Sequence, residues 1–285
     1  MRVIQRHPSL IRKAGKRSAA VLMIVLASTQ ANAALQLQFD DHFGREEREK
    51  LTLWVHEVKD GVEGLVGPYP FDIRIRFTRT RSGKPVPWAR TYRGRTQGIH
   101  FYVDPHHSLS DLRRDWTAAH EFSHLILPYL GRQNSWFAEG FASFMQYQVM
   151  HSMGVLESDE VIKRYREKLD KSATEYNYPG RAFVATTPRL QAERKYPVVY
   201  WGAAVFFFRL NQTLEARAGM TVIELLSDYM RCCRRHRSEL PKLARDLDEL
   251  TGARYFSDDL DSFLSMVGFP DYRNVRLGVV ATRQD

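Results

Sequence analysis

The chain has 285 residues, 44% hydrophobic and 26% charged, with a formal net charge of +9. These proportions exclude a disordered chain and fit one large domain, or two closely joined subdomains, with a real core. No dinucleotide fingerprint, P-loop or G-x-S-x-G elbow occurs in it.

The N-terminus reads as a separate object. Arg2, Arg6, Arg12, Lys13, Lys16 and Arg17 come with no acid among them, and the apolar run Ala19–Ala27 follows. Ala31-Asn32-Ala33 then has the A-x-A form of a cleavage site, so residues 1–33 are expected to be a secretory signal peptide. The run is about half the ~20 residues a spanning helix needs. The mature protein is therefore expected in the periplasm or outside the cell, with no transmembrane segment. Losing the six leader cations leaves 36 basic against 33 acidic groups, a balance of +3. So small a charge gives no support for a nucleic-acid partner. The two cysteines, Cys232 and Cys233, are adjacent. Neighbouring cysteines are hard to bring into disulfide geometry, so two thiols on a helix are expected.

Taking the chain in order, Leu51, Trp54, Val55 and Val58 recur at helical spacing, predicting a helix over residues 43–65. Phe71–Thr80 alternates apolar and polar, as a half-buried strand does. Residues 79–95 read as a Gly/Pro-punctuated, basic connection, either a solvated face or a surface for acidic substrates or an envelope. Gly98–Val103 is a second strand. A helix follows, with Ser110 as its N-cap and its end near Leu127, before Pro128 and Gly131. Another runs from Trp136 to about Met150.

Beyond these lie a charged helix over Glu157–Glu175, a proline-bearing connection over Asn177–Pro197 and a strongly apolar helix over Val198–Arg217. The apolar run of that last helix is too short to span a membrane, so it reads as core. Thr221 and Glu224 form a capping box, and Ser238 and Ser257 are placed at the starts of two final helices. The fold class is α+β: an α/β N-terminal part over 34–110, a helical hairpin over 111–155 and an all-helical part over 156–285.

Chemistry concentrates in the stretch from Trp116 to Tyr147. His120, Glu121 and His124 form H-E-x-x-H, and residues four apart share a helix face, so both imidazoles can meet one Zn2+ ion. Glu121, turned off that face, can reach a water and take its proton. A catalytic zinc generally has three protein ligands. The only other acid between Trp116 and Met150 is Glu139, fifteen residues after His124. If the short link folds the two helices back antiparallel, Glu139 comes level with His124. His106 and His107 read as a polar loop in preference to a second metal site.

At HEFSH and WFAEGFASFMQY the chain resembles the gluzincin metallopeptidases, especially their aminopeptidase N and glycyl aminopeptidase branches. The resemblance implies a thermolysin-like domain with a sheet edge strand along the cleft, His120, His124 and Glu139 as zinc ligands, Glu121 as general base, and peptides or proteins as substrates. Three features depart from the aminopeptidase N pattern. The His124–Glu139 spacing is shorter. Gly98–Val103, the strand placed along the cleft, lacks the acidic motif that holds a free amine. The Y-x-K-G tyrosine that stabilises an oxyanion has its nearest counterpart in Tyr200, one residue short and without the lysine. Tyr200 is thus either an oxyanion donor or a core aromatic. Two other readings stand beside a peptidase: a zinc-stabilised binding module without turnover, and a zinc amidase acting on cell-wall peptides.

Overall fold

The computed structural model describes residues 33–281; the expected leader, apart from Ala33, lies outside the described residues. Leu51, Trp54, Val55, Val58 and Val62, one stripe of helix α1 (Arg45–Val66), are buried, and Trp54 packs on the sheet through Phe101 at 5.2 Å between rings. The sheet holds β1 (Leu35–Phe39), β2 (Ile73–Arg79), β3 (Trp88–Arg93) and β4 (Gln97–Val103) in the order β1-β2-β4-β3. β1 and β4 run parallel to β2, and β3 pairs antiparallel with β4. As the alternation in Phe71–Thr80 predicts, Ile73, Ile75 and Phe77 are buried while Arg74 faces water.

Two expectations change here. The stretch 79–95 is not wholly a connection, because Trp88–Arg93 forms β3. Its arginines hide the strand in the sequence, and pairing with the buried β4 overrides the weak local preference. The cleft strand moves with it. Gly98–Val103 lies inside the sheet between β2 and β3, so the edge on that side is β3, with β1 at the other.

The single helix expected from Ser110 to Leu127 is two. Ser108, not Ser110, caps α2 (Leu109–Arg114): its hydroxyl accepts from Asp111 N at 3.1 Å, and the Asp111 carboxylate accepts from Ser108 N at 2.9 Å. The chain breaks at Asp115, whose carboxylate accepts from Thr117 N at 2.8 Å and opens α3 (Thr117–Ser123). The helical remainder comprises α4 (Ser135–Ser152), α5 (Ser158–Glu175), α6 (Phe183–Ala192), α7 (Tyr196–Ala218), α8 (Val222–Cys232), α9 (Leu240–Thr251) and α10 (Tyr255–Leu264). α6 occupies part of the expected connection 177–197. The Thr221–Glu224 box opens α8, with Glu224 N donating to Thr221 Oγ1 at 3.2 Å and Thr221 N to Glu224 Oε2 at 2.7 Å. Ser238 and Ser257 do not cap: α9 starts after Glu239, and Ser257 sits inside α10 as a donor to the buried Asp248. No helix among the described residues is long and apolar enough to cross a membrane.

α4 crosses α7 at close range. A Cβ at Gly140 would lie 2.5 Å from Ala203 Cβ and 2.6 Å from the Ala203 carbonyl carbon. Only glycine permits that approach, and it sets Glu139 on α4 opposite Tyr200, one turn before Ala203 on α7. Gly140→Ala is expected to lower stability by ~1–3 kcal/mol through overpacking; an unchanged denaturant midpoint would contradict this crossing.

The cysteines depart from expectation too. Cys232 and Cys233 form a disulfide with each other. Cys233 leaves the helix, at φ −134 and ψ −5, so the helical geometry that splays consecutive side chains apart no longer holds. The next residue, Arg234, reaches back across the fold. Its guanidinium donates to Leu125 O at 2.9 Å, Ile126 O at 2.9 Å and Gln97 Oε1 at 3.1 Å, capping the chain just after α3.

Candidate metal centre

His120 and His124 lie one turn apart on α3, both 4% exposed, with ring centroids 4.8 Å apart and nearly perpendicular. His124 is the C-cap, so the helix ends at the site and not three residues beyond it. The chain then turns back through Gly131, whose φ of +85 suits glycine, and a short 3-10 turn at Arg132–Asn134. α4 follows, and Glu139 on its second turn meets α3. Glu139 Oε2 is 3.2 Å from His120 Nε2 and 3.5 Å from His124 Nε2.

These three residues are the one group of metal-ligating side chains brought together among the described residues, their donor atoms all within 4.8 Å of one another. Zinc–ligand bonds of ~2.0–2.2 Å in a tetrahedral arrangement require donors roughly 3.3–3.5 Å apart. The two separations from Glu139 fit, and so does the donor chemistry: two imidazole nitrogens and one carboxylate oxygen.

Glu139's protonation matches a ligand. Burial alone would raise its carboxyl, but the neighbouring His124 and His120 overcome this and hold it well below the usual carboxylate range. Burial pulls both imidazoles down. In His120 the Glu139 hydrogen bond and charge reverse the shift and raise it, whereas His124, beside His120 and Arg93, stays lowered.

Three further residues frame the site. Gln146 lies two turns after Glu139 on the same face of α4, and its Oε1 accepts from His120 Nδ1 at 3.1 Å. That bond aims His120 Nε2 at the cluster, as outer partners of metal ligands do. His124 Nδ1 is buried without such a partner. Gln146→Ala is expected to weaken zinc binding by ~10–100-fold, read by competition with a chelating dye. Thr91 on β3 donates from Oγ1 to Glu121 Oε2 at 2.6 Å, with Glu121 O also 3.0 Å away. Glu121 is thereby held at the cluster's edge without joining it. Arg93, two residues along β3 on the same face, donates to His124 O at 3.4 Å.

Gln146 carried a sequence signal, a glutamine seven residues after Glu139 in an apolar helix; Thr91 and Arg93 carried none while their strand read as a loop. His106 and His107 lie after β4, where the His107 ring meets Ser82 O at 3.3 Å.

Tyr200 lines the same cleft of about 390 Å³ as His120, Glu121, His124 and Glu139, with Trp88 and Trp116 also lining it. Its ring lies 6.0 Å from that of His120. Burial and the adjacent Glu139 and Glu121 push its phenol well above the ordinary value, so it stays protonated and able to donate.

Neither a protein-family model nor a curated protein matches this sequence. Solved structures match in fold. A two-domain M1 zinc metallopeptidase variant bound to L-arginine gives a TM-score of 0.52 at 12% identity, over 84% of this chain and 49% of that one. The M1 zinc metallopeptidase of Deinococcus radiodurans gives 0.51 at 13%, over 85% and 50%. A variant of the latter bound to a Tyr-Ser-Ala substrate gives 0.50 at 13%, over 82% and 48%. The chain thus spans about half the length of these structures. At such identities what is shared is the architecture: the described residues have the fold of part of the M1 zinc metallopeptidases.

Proposed function

We propose that this chain is an exported zinc peptidase of the gluzincin type, which hydrolyses peptide bonds with Glu121 as general base. The observation that carries the reading is the convergence of His120, His124 and Glu139, from two helices, onto one point beside Glu121. The shared architecture and the WFAEGFASFMQY phrase support it. Export, with cleavage after Ala33, rests on the leader pattern of the sequence.

His120, His124 and Glu139 would hold the ion. Zinc bound there supplies a lowered water pKa and polarisation of the substrate carbonyl. Glu121, oriented by the Thr91 hydroxyl, accepts a proton from the attacking water and delivers it to the leaving amine. Tyr200 donates a hydrogen bond to the oxygen on which charge develops. A purely structural zinc has no use for a carboxylate held off the donor set by a dedicated hydroxyl, so the binding-module reading is the weaker one. The test is hydrolysis of a mixed peptide library by the mature chain, abolished by chelation and restored by stoichiometric zinc. A zinc-loaded protein that leaves every peptide intact would end this reading.

A further inference from the structure

β3 is an edge strand, and its unpaired side borders the cleft. An extended peptide laid along such an edge presents alternate side chains to the two faces of the sheet. On the inner face β3 offers Thr91 and Arg93; on the outer face, Arg90 and Tyr92. Behind the strand lies a second cavity of about 820 Å³, walled in part by Arg74, Arg76, Arg90, Arg93 and Arg95, with no carboxylate among its lining residues. Arg90 and Arg93 line both cavities.

Most of this positive charge is uncompensated. Arg76 is paired with Asp40 at 2.5 Å. Arg74, Arg90, Arg93 and Arg95 have no ion-pair partner among the described residues. Arg90 Nε donates to the Tyr92 hydroxyl at 2.8 Å, and its guanidinium lies 4.8 Å from that ring's centre. Arg93 is half-buried; its partners are the His124 carbonyl, at 3.4 Å, and the face of Tyr129, at 5.7 Å. A half-buried guanidinium whose close partners are one carbonyl and one ring keeps donors free, and bidentate pairing with a carboxylate is the contact its geometry suits best. Glu139 and Glu121 lie near Arg93, but with a divalent ion held as proposed they would balance that ion and leave the charge of Arg93 over.

We infer that this cleft selects peptides carrying carboxylates, with Arg93 recognising one beside the scissile bond and Arg90, Arg74 and Arg95 receiving others in the cavity behind β3. The inference rests on the peptidase reading and names its substrate class. The carboxylate can be an Asp or Glu side chain or the free C-terminus of a short peptide, and the test separates the two.

Matched fluorogenic peptides would differ only in Glu against Gln at positions flanking the scissile bond, and in a C-terminal acid against an amide. With the zinc-loaded mature chain, kcat/KM is expected to be at least about tenfold higher for one of the acidic forms, with the advantage shrinking as salt rises. Arg93→Gln and Arg90→Gln should bring the acidic-to-neutral ratio toward one, and Arg93→Lys should restore part of it. Calorimetric binding to the Glu121→Gln protein should show the same preference without turnover. Equal cleavage and equal binding of acidic and neutral peptides would overturn the inference and leave the peptidase intact. Neither cleavage nor binding of any peptide would overturn both. Arginine-dependent retention on anionic vesicles with no peptide preference would assign the patch to an envelope surface instead.

Discussion

Replacing Glu121 with glutamine is expected to cut kcat by ~10²–10⁴-fold, the range for loss of a general base, while zinc content stays at that of the wild type. The two halves of this result come from different atoms. The donor cluster is His120, His124 and Glu139, and Glu121 is outside it. Glutamine keeps the shape of the side chain and an oxygen to accept from the Thr91 hydroxyl, which now sits 2.6 Å from Glu121 Oε2. What it loses is the basic oxygen that takes a proton. Metal analysis and single-turnover kinetics on the same preparation check both halves. Full activity in the variant would remove Glu121 from the chemistry, and zinc loss would make it a ligand.

Glu139→Ala is expected to weaken zinc binding more than ~100-fold, because even an outer partner of a ligand is worth 10–100-fold. The same change reverses the pH dependence of the metal-free protein. The depressed Glu139 carboxyl contributes stability that is present above its unfolded value of about 4.5 and fades as pH falls toward the folded value. The raised His120 contributes stability that is complete below its unfolded value of about 6.5 and is lost as pH climbs through the folded one. In the metal-free wild type the Glu139–His120 pair should thus contribute most between roughly pH 4.5 and 6.5, with the lowered His124 opposing its loss above that range. In Glu139→Ala the partner that raised His120 is gone and burial dominates both imidazoles. Stability should then rise with pH across the histidine range. Melting temperatures from pH 4 to 9 in chelator separate the two curves, and parallel curves would count against the Glu139 pairing. For the wild type, zinc affinity should rise as His120 gives up its proton.

Much of the fold was legible where burial writes a period into the sequence. Leu51, Trp54, Val55 and Val58 announced α1, and Ile73, Ile75 and Phe77 announced β2. The candidate site was legible because H-E-x-x-H is local and Glu139 was the one acid within reach. β3 was not legible: a strand at a sheet edge buries little, so Arg90 and Arg93 disguise it as a loop, and only its partner β4 makes it a strand. That error moved the expected cleft strand from the edge of the sheet to its interior. The break at Asp115 was hidden for a related reason, since Leu112, Trp116 and Ala119 keep helical spacing across two helices. Tyr200 entered through resemblance alone, and its place opposite Glu139 depends on a contact between Gly140 and Ala203, sixty-three residues apart.

The reach of Arg234 has a consequence for the order in which this chain assembles. The carbonyls it caps follow His124 directly, yet Arg234 stands 108 and 109 residues later, near the far end of the chain. Contacts of such separation form only after a long loop has closed, and they slow folding. The two histidines are made early in synthesis, but the turn that carries them past His124 stays uncapped until α8 has been made and docked. A fragment ending before α8 would contain every proposed ligand and still lack this cap. Firm zinc capture at the proposed site is therefore expected to be a late event, completed by the last third of the sequence.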